Sequence, residues 1–482
     1  MTGLKKYSAL AFAISASLAL AACGGADGVA SPGEGGFSGG GAGGGSGGGG
    51  GGTGTGAAAD CPTGFANVGT ITAAVGGELR VCQLPAQING NLVVPLRTGT
   101  IYSVSGRVDV GQDRGGDAAA PIAGAQQGIL TVEPGVRIFG SAGLDYLVVN
   151  RGSQIFAQGT ATQPIVLTSK ASIEGTTTLD SIGQWGGLVV LGRANISNCP
   201  GAVPYGSAAC EAQVEGTNAL YGGSANADNS GVIKYVRVQH SGFQILPNNE
   251  LNGITFAGVG SGTTVDYVQV HNSSDDGIEM FGGNVNLKHI VLTGNDDDNW
   301  DTDQGYRGSA QFMIVVQRST RGDKILEASM ASLATGNPRS RPQLANLTAI
   351  GRGAHSMLTL NSGTDYALYN SVVTQTAGAC LDMDAAATTG TFRSVFLACA
   401  TSFDADADDE SLLFTHPSNT LAGVSTLTSI FVNGANETAV VTTDPTALSA
   451  FFTPTTYIGA VKDGNDTWWQ GWTCGLATGS TC

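Results

Sequence analysis

Positive charge is scarce in this chain: 22 Lys and Arg stand against 38 Asp and Glu in 482 residues, for a formal charge of −16. No cluster of basic residues occurs, so the phosphate contacts of a nucleic-acid binder are missing and nucleic acid is not an expected partner. Charged residues of both signs make up only 12%, which argues against a chain kept unfolded by self-repulsion. Long stretches of 3.6-residue apolar period are absent, and helical solenoids go with them. There is no Cys-x-x-Cys pair, the spacing zinc sites favour. Beyond residue 23 no apolar run reaches bilayer length. What the chain does hold is glycine, 74 residues of it, with Thr, Val and Asn in short runs, the composition of an all-β, loop-rich protein.

Residues 1–22 read as a lipoprotein signal peptide, with Lys5 and Lys6 ahead of the apolar stretch Leu10 to Leu20. The closing Leu20-Ala21-Ala22-Cys23 resembles a bacterial lipobox. That resemblance implies cleavage before Cys23, acylation of its thiol and, with Gly24 next instead of Asp, sorting to the outer membrane. The alternative is an ordinary signal peptide with a chance cysteine. Residues 23–60 form a tether: 20 of the 33 residues from Gly24 to Gly56 are glycine, a flexible coil spanning roughly 30 Å. The expected location is the outer membrane through this lipid anchor, on the periplasmic or cell-surface side, or release outside the cell. Eight further cysteines suit an oxidising compartment, and nearest-neighbour pairing gives Cys61–Cys82, Cys199–Cys210, Cys380–Cys399 and Cys474–Cys482. Zinc binding is the competing use of these thiols.

From Cys61 to residue 460 short β-type runs recur between Gly, Asn and Asp. Val132–Phe139 and Val149–Phe156 align 17 residues apart, and the runs starting at Tyr267, His289 and Phe312 follow at 22 and 23 residues. Each repeat has room for two or three short strands, as in a coil whose rungs stack on one another; propeller blades need about 40 residues. The predicted architecture is a right-handed parallel β-helix, with a multi-stranded sandwich as the alternative. Residues 461–482, with Trp468, Trp469 and Trp472 beside the Cys474–Cys482 staple, are expected to cap the open end of the coil; an aromatic platform for sugar rings is the other reading.

The 22-residue register places Asp275 on Asp297, Asp276 on Asp298 and Glu279 on Asp301. Stacked rungs are about 4.8 Å apart, where like charges repel by about 1 kcal/mol in water and roughly 3 kcal/mol at an effective dielectric near 20. A column of carboxylates so placed takes up protons or a cation. Calcium, which accepts many oxygens in irregular geometry, is the candidate ion, held by Asp275, Asp276, Asp296, Asp297, Asp298 and Asp301. The competing reading is a set of solvated Asx-turn residues. Were the protein a polysaccharide lyase, Arg237 or Arg307 would be the candidate base; hydrolysis would instead use two of the carboxylates. His240 and His271 fall close together in the register without a third ligand and read as packing residues.

Gln184-Trp185-Gly186-Gly187-Leu188-Val189, the block from Tyr221-Gly222-Gly223 to Gly283, and the ending Tyr457-Ile458-Gly459-Ala460-Val461 through Gly471-Trp472-Thr473 resemble a family of exported bacterial lipoproteins with a predicted β-helix. The most specific part runs from Leu251-Asn252-Gly253 to Ser274-Asp275-Asp276-Gly277. In architecture the chain is also similar to the pectate-lyase-like superfold. The resemblance implies fold and export and carries over no catalytic residues. The expected function is non-catalytic binding of glycans or other envelope partners. A calcium-dependent polysaccharide lyase or glycoside hydrolase, and a purely structural envelope protein, are the alternatives.

Overall fold

The computed structural model describes residues 56–482 apart from 247–248, 319–320, 331–337, 354, 356, 385–386, 407–409, 478 and 481; the signal, Cys23 and most of the tether lie outside the described residues. Two long sheets, of 15 and 11 strands, run the length of the body as a parallel β-helix. An antiparallel hairpin, Ala66–Ala73 with Gly77–Gln83, closes the N-terminal edge and is pinned by Cys61–Cys82. The other three disulfides join Cys199 to Cys210, Cys380 to Cys399 and Cys474 to Cys482, as nearest-neighbour pairing predicts. No described helix is long and apolar enough to cross a membrane.

The period seen in the sequence is the rung. Strand Gly231–Gln239 pairs with two separate upstream strands, Gln154–Gln158 and Ile165–Ser169. Between these halves sits Tyr235, whose φ of +50° bends one continuous strand around a corner that the earlier rungs turn with a loop. The corner recurs in register at Tyr267, His289, Phe312, Asn346, Asn370 and Ser394, all with positive φ. This conformation is unfavourable for any residue with a Cβ, so the neighbouring rungs must hold it in place. On either side of each corner, alternate residues point inward: Val236, Val238, Val268, Val270, Ile290, Leu292, Met313 and Val315 are buried in one core. From the second sheet, Ile254, Phe256, Ile278, Met280, Trp300 and Leu326 meet them there.

The coil is shorter than its sequence suggests. Its last strand is Thr401–Phe403, so the stacked body reaches residue 403 and not 460. The open end is covered by the short helix Glu410–Phe414, whose Phe414 stacks on Phe392 at 4.4 Å. The tryptophan-rich tail is therefore not the end plug. Thr420 still bridges the edge strand in parallel at Phe396, and beyond it the chain forms a strap that runs back along the outer face of the first sheet as far as Gln269 beside Cys474. It docks on the row of corners and their neighbours. Three amide side chains, Gln269, Gln311 and Asn370, each exchange two hydrogen bonds with one strap residue, Cys474, Thr453 and Thr443 in turn, as a neighbouring strand would. Corner residues Tyr235, Tyr267, His289 and Phe312 stack at 4.4, 4.2 and 5.0 Å. Trp472, fully buried, sets its edge against the first two of them.

Candidate functional site: an acidic cleft

Asp275 and Asp276 end the turn that leads from strand Thr264–His271 into strand Ile278–Phe281; Asp297 and Asp298 hold the same place one rung on. Local hydrogen bonds lock these turns together. Asp298 N–H donates to Asp276 Oδ1 at 3.0 Å, and Lys324 N–H donates to Asp298 Oδ1 at 2.7 Å, so each carboxylate ties its turn to the next. Asn295 spans the same gap by accepting from Ser273 N–H at 3.0 Å. Gly277 is required here, since a Cβ would come within 2.4 Å of the Asn295 amide and 2.6 Å of Asn299 O.

On the adjoining second sheet, residues facing away from the core form a row across five rungs: Thr255, Glu279, Asp301, Glu327 and Thr359. Turn acids and sheet acids wall a cleft of about 480 Å³, to which Glu215 is added from the long excursion between strands Gly187–Leu191 and Gly231–Gln239, and Glu250 from the connection between Gly231–Gln239 and Ile254–Ala257. Ten of the eleven lining residues are Asp or Glu, Ser274 being the other, so no Arg or Lys is among them. Among the described residues four carboxylate trios fit within 4.8 Å, and three of them lie here: Asp275 with Asp276 and Asp297, Asp276 with Glu279 and Asp301, and Asp297 with Asp298 and Asp323.

Burial makes this arrangement costly when every group is ionised. Desolvation first, then the charges of Asp297, Glu250 and Glu215, push the Asp275 carboxyl up to about 8. Burial, followed by neighbouring carboxylates, raises Asp276, Glu279, Asp298 and Asp301 well above the ordinary range. The residues fit a divalent cation. Oxygens bound to calcium sit about 2.3–2.6 Å from it, so two on opposite sides are roughly 5 Å apart, close to the spread of each trio here. Asn252, 97% buried by its 3% exposure, donates its amide to Glu279 at 2.6 Å while its Oδ1 has no partner.

The six acids read from the register thus come together, with one exception in kind. Asp296 reaches the cleft, but Arg318 and Arg321 hold it at 3.2 and 3.4 Å, so its charge is already spent. Neither basic candidate belongs to the site. Arg237 lies on the first sheet, paired with Val166 and Gln269, on the face the strap covers; Arg307 is exposed in the turn after strand Trp300–Asp303. The tryptophan platform fails for Trp472, which is fully buried and donates its indole N–H to Trp468 O at 2.9 Å. Trp468 and Trp469 are half-buried in the same packing. His240 and His271 are buried with ring centres 5.8 Å apart.

Glu327, Glu215 and Asp323 were not legible in the sequence. Glu327 follows Asp301 by 26 residues, off the 22-residue register that revealed Glu279, and Glu215 sits in a non-repeating excursion. Glu250 also lies outside the register, in the connection between strands Gly231–Gln239 and Ile254–Ala257.

These features define a class: a parallel β-helix with an open, carboxylate-lined cleft on its second sheet. More narrowly, the chain belongs to the pectate-lyase-like beta helix domain family, which matches residues 117–473. No curated protein matches it. Among solved structures, "Crystal structure of Agl-KA catalytic domain" is similar at 14% identity and a TM-score of 0.23, over 67% of this chain; the match spans 60% of that structure's length.

Proposed function

We propose that this is an exported binding protein that takes up calcium in the acidic cleft and engages polysaccharide or other envelope polymers through the bound ions, without cleaving them. The observation that carries the reading is the pair of carboxylate trios sharing Asp276, which present several adjoining cation positions along an open groove. A metal held there would offer its remaining coordination sites to hydroxyl and carboxylate oxygens, and it would reverse the repulsion an acidic polymer otherwise meets. The four disulfides favour a compartment outside the cytoplasm. Anchoring by Cys23 and the Gly-rich tether would give the β-helix reach from the outer membrane.

The second reading is a calcium-dependent polysaccharide lyase or a glycoside hydrolase. It draws on the family likeness and on Asp275, a carboxyl that at neutral pH stays protonated beside other acids, as a general acid must. The lack of Arg or Lys among the lining residues weighs for binding over lyase chemistry. Incubation with uronate and neutral polymers, with calcium and with chelator, separates the readings. Binding predicts polymer retained on the immobilised protein only with calcium, and no new unsaturated or reducing ends. Product formation establishes an enzyme, and retention of nothing leaves a structural role.

A further inference from the structure

A further cavity, of about 560 Å³, lies beyond the C-terminal end of strand Gly187–Leu191, whereas the turn acids of the cleft precede the N-terminal ends of their second-sheet strands. Arg193, two residues past that strand, and Asp228, in the loop ahead of Gly231–Gln239, both line it. Asp228 Oδ2 accepts the Arg193 backbone N–H at 3.0 Å, and Arg193 Nε–H donates to Gly115 O at 2.7 Å. Gly152 packs on the guanidinium, where a Cβ would come within 2.3 Å of Nη2. These contacts hold the side chain at 5% exposure. Its Nη1 is the open end of the fork. Among the described residues it has no hydrogen-bond acceptor, since Asp228 Oδ1 stands 4.0 Å away, yet it keeps surface on the cavity. A buried guanidinium with one such arm is uncommon, because donors held inside a protein are almost always paired.

The second wall is Arg114, half-buried, from the loop between Arg107–Val110 and Gly128–Val132. Its Nη1 makes one long bond to Gly152 O at 3.4 Å, and Nη2 has no partner among the described residues while remaining accessible. Two guanidinium groups thus face one lining carboxylate in a chain that is acidic overall. Asp113 and Glu211 are the other acids nearby, and Arg151 holds both, at 2.6 and 2.7 Å. Burial first, and then the like charges of Arg114 and Arg151 against the attraction of Asp228, hold Arg193 below its ordinary value. Burial likewise raises Asp228, so neither ion is well compensated by the other. An anion reaching both guanidinium groups would relieve that cost. Asp228 would repel a bare anion but can accept a hydrogen bond from a hydroxyl, and the exposed Gln127 and Asn226 on the rim carry amides that suit further hydroxyls.

We propose that this cavity binds a polyhydroxy carboxylate directly, without a metal, its carboxylate meeting Arg193 Nη1 and Arg114 Nη2 and a neighbouring hydroxyl donating to Asp228 Oδ1. The site is separate from the acidic cleft and needs no calcium, so each can stand or fall alone. The test is isothermal titration of the full chain after passage over a chelating resin, so that neither a bound cation nor a soluble chelator competes. The probes are sodium gluconate, sodium acetate and glucose. Gluconate is expected to bind, acetate, which lacks the hydroxyls, at least about tenfold more weakly, and glucose, which lacks the charge, not measurably. Arg193→Gln and the half-buried Arg114→Gln should each weaken gluconate binding about tenfold or more, with circular dichroism confirming the fold; Arg114→Gln carries the test should Arg193→Gln fail to fold. The proposal is overturned if gluconate does not bind, if acetate or glucose binds as tightly, or if folded Arg114→Gln binds like the parent protein.

Discussion

The two outer faces of this coil are built on the same rungs yet have opposite fates. On the first sheet the repeated outward positions carry aromatic rings, Asn and Gln, and a strap covers them. On the second sheet they carry Glu279, Asp301 and Glu327, and the face stays open as a cleft. Stacking multiplies whatever side chain it repeats. Aligned rings gain contact, and aligned amides hand their spare donors and acceptors to the strap. Aligned carboxylates accumulate repulsion that only protons or cations relieve. One face thus completes itself, and the other is completed from outside.

The largest expected effect tests the covered face. Trp472→Ala removes a fully buried side chain that joins the strap to Tyr235 and Tyr267, and should cost about 3–5 kcal/mol in denaturant unfolding. A loss near zero would mean that the strap adds little to the fold. On the open face, calcium at about 100 times its Kd should stabilise by about 2.7 kcal/mol per site, read as a rise in thermal midpoint over the chelated protein. Asp276→Asn with Asp298→Asn should abolish that rise and, by removing buried like charges, leave the chelated protein at least as stable as its parent. A calcium response that survives the double variant would move the site elsewhere.

Titration sharpens the contrast. The folded carboxyls have raised pKa values, with Asp275 at about 8 against 3.8 for its ordinary value, so the native state holds protons that the unfolded chain has released. In chelator the stability they contribute is full below about pH 4 and is lost as pH rises towards 8. Calcium should flatten that decline, because it binds the ionised form. A thermal midpoint in chelator that rises over this window would show the acids to be well solvated. On the covered face, Asn346→Ala deletes hydrogen bonds to Thr455 Oγ1, Tyr457 O and Gly459 O at 3.1–3.2 Å. A cost of about 1–3 kcal/mol is expected. The smallest effect belongs to Arg307→Gln, an exposed residue off the cleft, which should change neither stability nor calcium response by more than about 0.5 kcal/mol.

The sequence by itself determined the rung, the acidic register and the pairing of cysteines. Each is a local or periodic feature: stacked turns impose the same constraint at every repeat, so Asp276 and Asp298 announce one another 22 residues apart, and short loops leave cysteines few partners. Tertiary structure alone decided where the stacking stops, how the tail returns, and which acids outside the register join the cleft. Gln269 and Cys474 meet across 205 residues, and Glu215 reaches Asp275 from an excursion with no period. Such contacts depend on how a non-repeating segment folds back onto the coil, and no repeat along the chain records that path.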